Sequence, residues 1–437
     1  MTMTTSSPAS GARLLSNGRF STLITAAGSG YCELGDCALT RWQGDPVEDG
    51  DAYLVYLRDA DSGEFWTLGA QFAHAGAGYA SGHSEAGAWL SCIHDGIEAR
   101  LDVVVGADED VELRTVSLRN VSGRARRIDV TSYLEVVLNV RAAEASHPAF
   151  SKLFVQMEAV GDALLARRRP RGAGEDSVWM VHAAHGGSGA EFETDRKRFV
   201  GRGASLAAPL AMTSGVALSG TAGNVLDPAM SLRRGVALDD GGSATIVFML
   251  GAAADRDAAL ALARHAGSAG EITRGAAARQ QAILQQLGVT SEQAACYEEL
   301  AVAMLYGDTA LRAGAEVQRR VSGSAGVLAE YEIPSTGALC VAVSSGPNDA
   351  SVTTLLAAAR YWQALWQPIH LLIIGDDWKA PAANVSLLDP ARVPGADLDA
   401  ILCLARAVVD GALPKFGPRQ PRRATAPTCV PEAPDTT

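Results

Sequence analysis

Val111-Glu-Leu-Arg-Thr-Val-Ser-Leu118, a turn at Asn120 to Gly123, and Ile128-Asp-Val-Thr-Ser-Tyr-Leu-Glu-Val-Val-Leu138 read as two adjacent strands. Both runs are rich in β-branched and aromatic residues, and the Asn, Ser and Gly between them favour a tight turn. In the first run Val111, Leu113, Thr115 and Ser117 share one face, and Glu112, Arg114, Val116 and Leu118 share the other, so the alternation is imperfect. Similar runs, Ala52-Tyr-Leu-Val-Tyr-Leu57 and Leu101-Asp-Val-Val-Val105, recur between about Arg13 and Ala254, bounded by Gly, Asp, Asn or Ser. This spacing predicts a large antiparallel sandwich whose sheets pack face to face.

Near Arg256 the character changes. Residues Asp257 to Leu287 are rich in Ala, Leu and Gln, and Gly267 and Gly270 divide them into two expected helices. Glu292 to Tyr306 is a third, with Tyr297, Leu300, Met304 and Leu305 able to share a face. Further on, Leu339-Cys-Val-Ala-Val343 reads as a buried strand, Asp349 to Trp366 as a helix and Ile369-His-Leu-Leu-Ile-Ile374 as a second strand. That order implies a right-handed parallel βαβ unit. Leu398 to Gly411 reads as another helix, and the Pro-rich Pro414 to Thr437 carries no apolar periodicity.

The 437 residues carry a formal charge of −12 and 48% apolar residues, which suits a folded chain of two or three domains. An acidic balance argues against general affinity for nucleic acid or anionic membranes. Met1 to Gly11 lacks the basic start and apolar core of a signal peptide, and no apolar run approaches the ~20 residues needed to span a bilayer. The cysteines, Cys32, Cys37, Cys92, Cys296, Cys340, Cys403 and Cys429, are odd in number and form no metal-type spacing. Reduced thiols in a cytoplasmic protein are expected.

Motifs of chemistry are sparse. Ser344-Ser-Gly-Pro-Asn-Asp349 follows the first parallel strand but lacks the Gly-rich dinucleotide pattern and the Gly-Lys-Ser/Thr of a phosphate loop, so Asn348 or Asp349 reads as a helix cap. The carboxylates Glu33, Asp36, Asp45, Asp59, Asp61 and Glu64 lie mostly in turn-like contexts. His74, His83, His94, His147, His182, His185, His265 and His370 are scattered without a metalloprotease motif or a close pair, and no metal or cofactor is predicted. Arg167-Arg-Arg-Pro-Arg171 reads as a solvated loop beside a strand. Of Trp42, Trp66, Trp89 and Trp179, all able to stack on a sugar ring or to pack a sheet, Trp42 and Trp66 are the sugar-stacking candidates.

One series of stretches carries more. Leu14-Leu-Ser-Asn-Gly-Arg-Phe-Ser-Thr-Leu-Ile-Thr-Ala-Ala-Gly-Ser-Gly-Tyr31 is followed by Gly35-Asp36, Leu39-Thr-Arg-Trp42, Asp45-Pro46, Tyr56-Leu-Arg-Asp59, Asp61-Ser-Gly-Glu64 and Trp66. Ser132-Tyr-Leu-Glu-Val-Val-Leu138, His147-Pro-Ala-Phe-Ser-Lys-Leu-Phe-Val-Gln156, Phe192-Glu-Thr-Asp-Arg196, Phe199-Val-Gly-Arg-Gly203 and Leu226-Asp-Pro-Ala-Met-Ser-Leu-Arg-Arg234 come later, in order. From about Arg13 to Arg312 the series resembles the supersandwich domain of glycoside hydrolase family 94, that of cyclic β-1,2-glucan synthases and cellobiose and chitobiose phosphorylases. Beyond Val321 the resemblance thins: the family's Ser-Gly-Asp-Leu-Pro stretch is replaced by Pro334-Ser-Thr-Gly-Ala-Leu-Cys340.

The resemblance implies a mainly β N-terminal supersandwich, a galactose-mutarotase-like antiparallel β-sandwich, followed by a helical linker and a small α/β (βαβ) segment. The expected division is a disordered N-terminus over 1–12, the supersandwich over 13–255, the helical linker over 256–316, the α/β segment over 317–413 and a disordered tail over 414–437. In the family the general-acid carboxylate and phosphate site belong to a separate helical barrel, so no position here inherits them. The expected function is a non-catalytic carbohydrate-binding and assembly module. It would contact a β-glucan or oligosaccharide, as a homodimer or docked on a glucan-synthesising or phosphorylase enzyme, without nucleic acid or a membrane span. The alternatives are a β-glucan-active enzyme, of phosphorylase or transglycosylase type, completed by a partner chain or improvised from sandwich carboxylates, and a nucleotide-sugar site on the βαβ unit.

Overall fold

The computed structural model describes residues 12–413 except 45–50, 52, 86, 171, 173–177, 322–325, 376–377, 379–381 and 412. The expectations for 1–11 and 414–437 lie outside the described residues, while Ala12 opens the first strand.

Two antiparallel sheets, of nine and eight strands, face one another. The first is organised around the long strand Arg126–Val140, which pairs with Leu54–Asp59, Cys37–Thr40 and Pro228–Leu238. The second has Val111–Asn120 paired on one side with Ile97–Val105 and on the other with Ser243–Ala253. Ile128, Val130, Leu134 and Val136 point inward and meet Val116, Leu118, Ile246, Phe248 and Leu250 from the facing sheet.

The imperfect alternation of Val111–Asn120 has a physical cause. Val116 and Leu118 face the other sheet, but Val111 and Leu113 pack on its far side with Ala259, Ala266, Ile272 and Ala276. Those residues belong to Arg256–Ala263, a 3₁₀ turn at Arg264–Ser268, and the helix Ala269–Leu287, which Gly288 closes with φ 64°. A strand covered on both sides loses its period-two signature.

Glu112 and Arg114 sit on the inward face and are paired with each other at 2.5 Å. Thr22 Oγ1 donates to Glu112 at 2.7 Å, and Arg114 donates to the Tyr53 carbonyl at 2.6 Å with its guanidinium over the Tyr53 ring. Nearby, His182 Nδ1 lies 2.9 Å from the Met249 carbonyl and its Nε2 lies 2.7 Å from Ser132 Oγ. The carbonyl can only accept, so Nδ1 carries the proton and Nε2 accepts from the serine. Glu112, Arg114, Ser132 and His182 thus each have a partner, which burial demands.

The C-terminal region is a four-stranded parallel sheet with strands in the order Val385–Leu388, Ile369–Ile374, Ala338–Val343 and Ala407–Asp410. Asp349 caps the crossing helix Ala350–Ala364, accepting from Ser351 N at 2.9 Å. The helix expected over 398–411 is instead the helix Gly395–Leu404 followed by the strand Ala407–Asp410. Ala407 and Val409 are buried on one face of the sheet and Val408 packs on the core of the other, and the pair Val408-Val409 suits a parallel edge.

This region is docked firmly on the sandwich. Ala12, Leu14, Leu23 and Tyr31 share a core with Tyr297, Leu300, Met304, Trp362 and Leu365. At its centre Glu298, fully buried, accepts from Arg13 at 3.0 and 3.2 Å, from Leu14 N at 3.2 Å and from Tyr361 Oη at 2.5 Å. Trp362 Nε1 donates to the Tyr297 carbonyl and Tyr31 Oη to Gln367.

Glu298→Ala leaves Arg13 buried without its partner, and urea denaturation is expected to show a loss of about 3–5 kcal/mol. A paired Arg13→Met, Glu298→Leu change is expected to recover most of it. A second outcome concerns acid. Burial lowers the His182 pKa from 6.5 to about 4. Between those values the unfolded chain binds the extra proton, so stability falls as pH drops from 6.5 towards 4, by up to about 1.4 kcal/mol per unit. His182→Gln is expected to flatten that slope in denaturation curves taken at several pH values.

Candidate functional site

Trp42 follows the strand Cys37–Thr40 at the rim of the nine-stranded sheet and is half-buried. Its ring lies 5.0 Å from Tyr31 and 5.3 Å, edge-on, from Tyr306, and its Nε1 donates to Tyr306 Oη at 3.3 Å. Arg141 reaches over both Tyr31 and Trp42, at 3.9 and 4.9 Å from the ring centres, while its guanidinium is paired with Glu33 at 2.6 Å. Burial raises the Glu33 pKa, and Arg141 opposes the rise. The result is a partly exposed Trp42 and Arg141 resting on buried Tyr31 and on buried Tyr306, the residue capping the helix Ser291–Leu305.

Trp66 has a different fate. It is only 2% exposed, lies in the inter-sheet core and packs edge-on against His94 at 4.8 Å. Its ring offers no face to a sugar. The expectation of a platform at Trp66 is corrected, because the strand Phe65–Thr67 turns this side chain inward.

The carboxylates singled out in the sequence are largely engaged. Asp59 accepts from Arg126 at 2.5 Å and from Asp61 N and Ser62 N; although burial opposes it, these hydrogen bonds hold its carboxyl below the ordinary range. Asp61 pairs with Arg127, and Glu64 lies against His94. Asp36 is exposed and Asp45 lies outside the described residues. The arginines Arg167, Arg168 and Arg169 stack on Trp179 or Phe154, which explains the basic cluster without an anion. Asp349 also accepts from Ser345 N and Oγ, and these bonds with those from Ser351 hold it well below the usual carboxylate range. A carboxylate kept charged at the end of the parallel strand opposes an incoming phosphate.

Register reveals a row that sequence reading missed. Tyr56, Thr131 and Arg233 are direct cross-strand neighbours, and Glu191 faces Arg233 on the next strand. Arg233 donates to Thr131 at 3.1 Å and to Glu191 at 3.1 Å. Two residues along, on the same face, Arg58 is opposite Asp129, 3.8 Å from it as an ion pair. Burial raises the Asp129 pKa against the opposing pull of Arg233 and Arg58. The segment 201–225 is laced over this row. Tyr56 Oη donates to the Leu206 carbonyl, Arg58 to Met212, Arg233 to Ala211 and Val216, and Glu191 accepts from Leu218 N. Only strand pairing brings these six side chains together, so no spacing in the sequence could have shown them.

A two-sheet antiparallel sandwich backed by helices is the architecture of the carbohydrate-associated supersandwich class. Residues 1–269 match the family model described as "Glycosyl hydrolase 94, supersandwich domain", and the chain belongs to that family. The chain is similar to the cyclic β-(1,2)-glucan synthase NdvB of Rhizobium meliloti (strain 1021), with 32% identity over 83% of this chain and 13% of the synthase. It is also similar to the N,N'-diacetylchitobiose phosphorylase of Vibrio proteolyticus, with 29% identity over 29% of this chain and 17% of that enzyme. Among solved structures, a bacterial glucoamylase complexed with acarbose aligns with a TM-score of 0.43 and 9% identity over 69% of this chain and 41% of its own. The chain thus spans about 13% of the synthase's length. Among the described residues no helix is long and apolar enough to cross a membrane.

Trp66→Ala is expected to lower unfolding free energy by about 3–5 kcal/mol, the cost of an aromatic cavity in a core. The half-buried Trp42→Ala should cost clearly less in the same denaturation experiment.

Proposed function

We propose that the chain is a non-catalytic carbohydrate-binding and assembly module that serves a β-glucan enzyme of its family. The observation that carries this reading is the engagement of the buried carboxylates. Glu112 is paired with Arg114, Glu33 with Arg141, Asp59 with Arg126 and Glu298 with Arg13. Glu193 accepts from Thr194 N, Asp195 N and Ser219 Oγ, and Asp349 caps a helix. Acids held by cations or backbone amides are fixed as structural partners and are not free to flank a scissile glycosidic bond.

Two surfaces support binding and assembly. Half-buried Trp42 beside the Arg141 guanidinium combines an aromatic ring with hydrogen-bond donors, the chemistry that holds a neutral sugar, while buried Tyr31 and Tyr306 support the ring from below. On the helix Pro148–Lys152 and the residue after it, Phe150 and Leu153 are 54% and 56% exposed, and Lys152 pairs with Asp227 beside Leu226, itself 79% exposed. A grouped apolar surface of this kind suits a protein partner, either a catalytic domain of the family or a second copy.

One observation favours a second reading, an active enzyme with a site improvised on the sheet. Asp129, raised by burial, shares Arg233 with Glu191 under the 201–225 segment. Two carboxylates in distinct environments are what acid–base chemistry uses.

Calorimetric titration with linear and cyclic β-1,2-glucans, followed by assay of the same mixtures for released sugar with and without phosphate, separates the two. Binding that weakens at least 10-fold in Trp42→Ala, without turnover, is the expected result. Turnover abolished by Asp129→Asn would replace the module with the enzyme.

A further inference from the structure

Three side chains that no motif links meet at one edge of the sandwich. Glu64 stands just before the strand Phe65–Thr67, His74 follows the 3₁₀ turn Ala70–Phe72, and His94 ends the strand Gly87–His94. His94 Nε2 is 2.9 Å from Glu64 Oε1, and His74 Nε2 is 3.7 Å from the same oxygen. The two rings are 4.5 Å apart, and one ligand atom from each of the three residues lies within 4.8 Å of the others. The sequence offered only scattered histidines; folding creates the close pair that was not expected.

The protonation pattern is informative. His74 Nδ1 lies 2.9 Å from the Ala75 carbonyl, which can only accept, so the neutral ring keeps its proton there and turns the Nε2 lone pair toward the carboxylate. A lone pair facing a carboxylate oxygen repels it unless a cation or a proton lies between them. A backbone carbonyl holding the distal nitrogen of a ligating imidazole is also the usual outer-shell support of a metal site. His74 is anchored further by its own N–H, which donates to Tyr79 Oη at 3.1 Å.

His94 is fixed in place by packing. Its side chain is 9% exposed and wedged against Trp66. Among the described residues the hydrogen bond of this buried ring runs through Nε2, aimed into the cluster at Glu64. Ligands around a tetrahedral ion at ~2.0–2.2 Å lie ~3.3–3.5 Å from one another. The observed 2.9 and 3.7 Å bracket that value, and His74, 34% exposed, has room to close the remaining gap.

We propose that Glu64, His74 and His94 bind one divalent transition-metal ion of the zinc type through two imidazole Nε2 atoms and one carboxylate oxygen. Two imidazoles exclude calcium and magnesium, which prefer all-oxygen sets. Glu64 keeps 40% of its side chain exposed, so a water or a substrate oxygen can take the fourth position from the solvent side. The ion joins the turn at Glu64 to the Gly87–His94 edge, stiffening that rim independently of any sugar bound elsewhere.

The test uses the full chain, stripped with a chelator and titrated with zinc chloride by calorimetry, alongside cobalt(II) with visible absorption. One zinc per chain is expected, with affinity falling at least 100-fold in His74→Ala and in Glu64→Gln. Both positions are partly exposed, so these variants should fold. Zinc should raise the melting temperature of the parent chain and not of His74→Ala, and cobalt should give ligand-field bands without thiolate charge transfer. Absence of saturable zinc binding overturns the proposal, as does equal binding by the variants or a thiolate band that places the metal on cysteine.

Discussion

Glu298 is a carboxylate with no solvent exposure, and the arrangement of the chain's regions depends on its partners. Removing a carboxylate from water costs several kcal/mol even after relaxation. Here the compensation comes from Arg13 and the Leu14 amide of the first strand and from the Tyr361 hydroxyl of the crossing helix. The sandwich, the helix Ser291–Leu305 and the parallel-sheet region therefore meet at one charge. A slip of one residue in the first strand would place Leu14 where Arg13 stands and leave the charge uncompensated. Apolar contacts around Leu14, Tyr297 and Trp362 favour the docking, and the ion pair sets its register.

Covering both faces of a sheet explains the composition of the strands. Val111 and Leu113 lie under helices while Val116 and Leu118 lie under the opposing sheet. The same enclosure places Glu112, Arg114, Ser132 and His182 between the sheets, where each needs a partner and has one. In such an interior acidic residues act as struts. The polar row of Arg58, Asp129, Arg233 and Glu191 lies on the outer face instead, under a segment tied down largely through backbone carbonyls.

Much of the fold was legible because it is local. The runs around Val111 and Ile128 announce strands by side-chain type, Gly267 and Gly270 mark where the helical stretch breaks, and Asp349 caps the helix it precedes. Ala405 to Gly411 was misread as helix because its alternation spans only four residues, too few to outweigh the helical pattern before it. The sugar-stacking candidates diverged for a non-local reason. Trp42 reached a rim and Trp66 the core, although both look alike as isolated tryptophans beside strands.

The amino-acid sequence by itself determined the strand and helix content, the acidic balance and the family series running from Leu14 to Arg234, since these rest on residue type and short spacing. Tertiary structure alone decided which groups meet: Arg13 with Glu298, Thr131 with Arg233, and Glu64 with His74 and His94. Those meetings depend on strand register and on the docking of one covered face against another. Contacts between residues far apart in sequence leave no periodic trace in the chain, so only the folded backbone could reveal them.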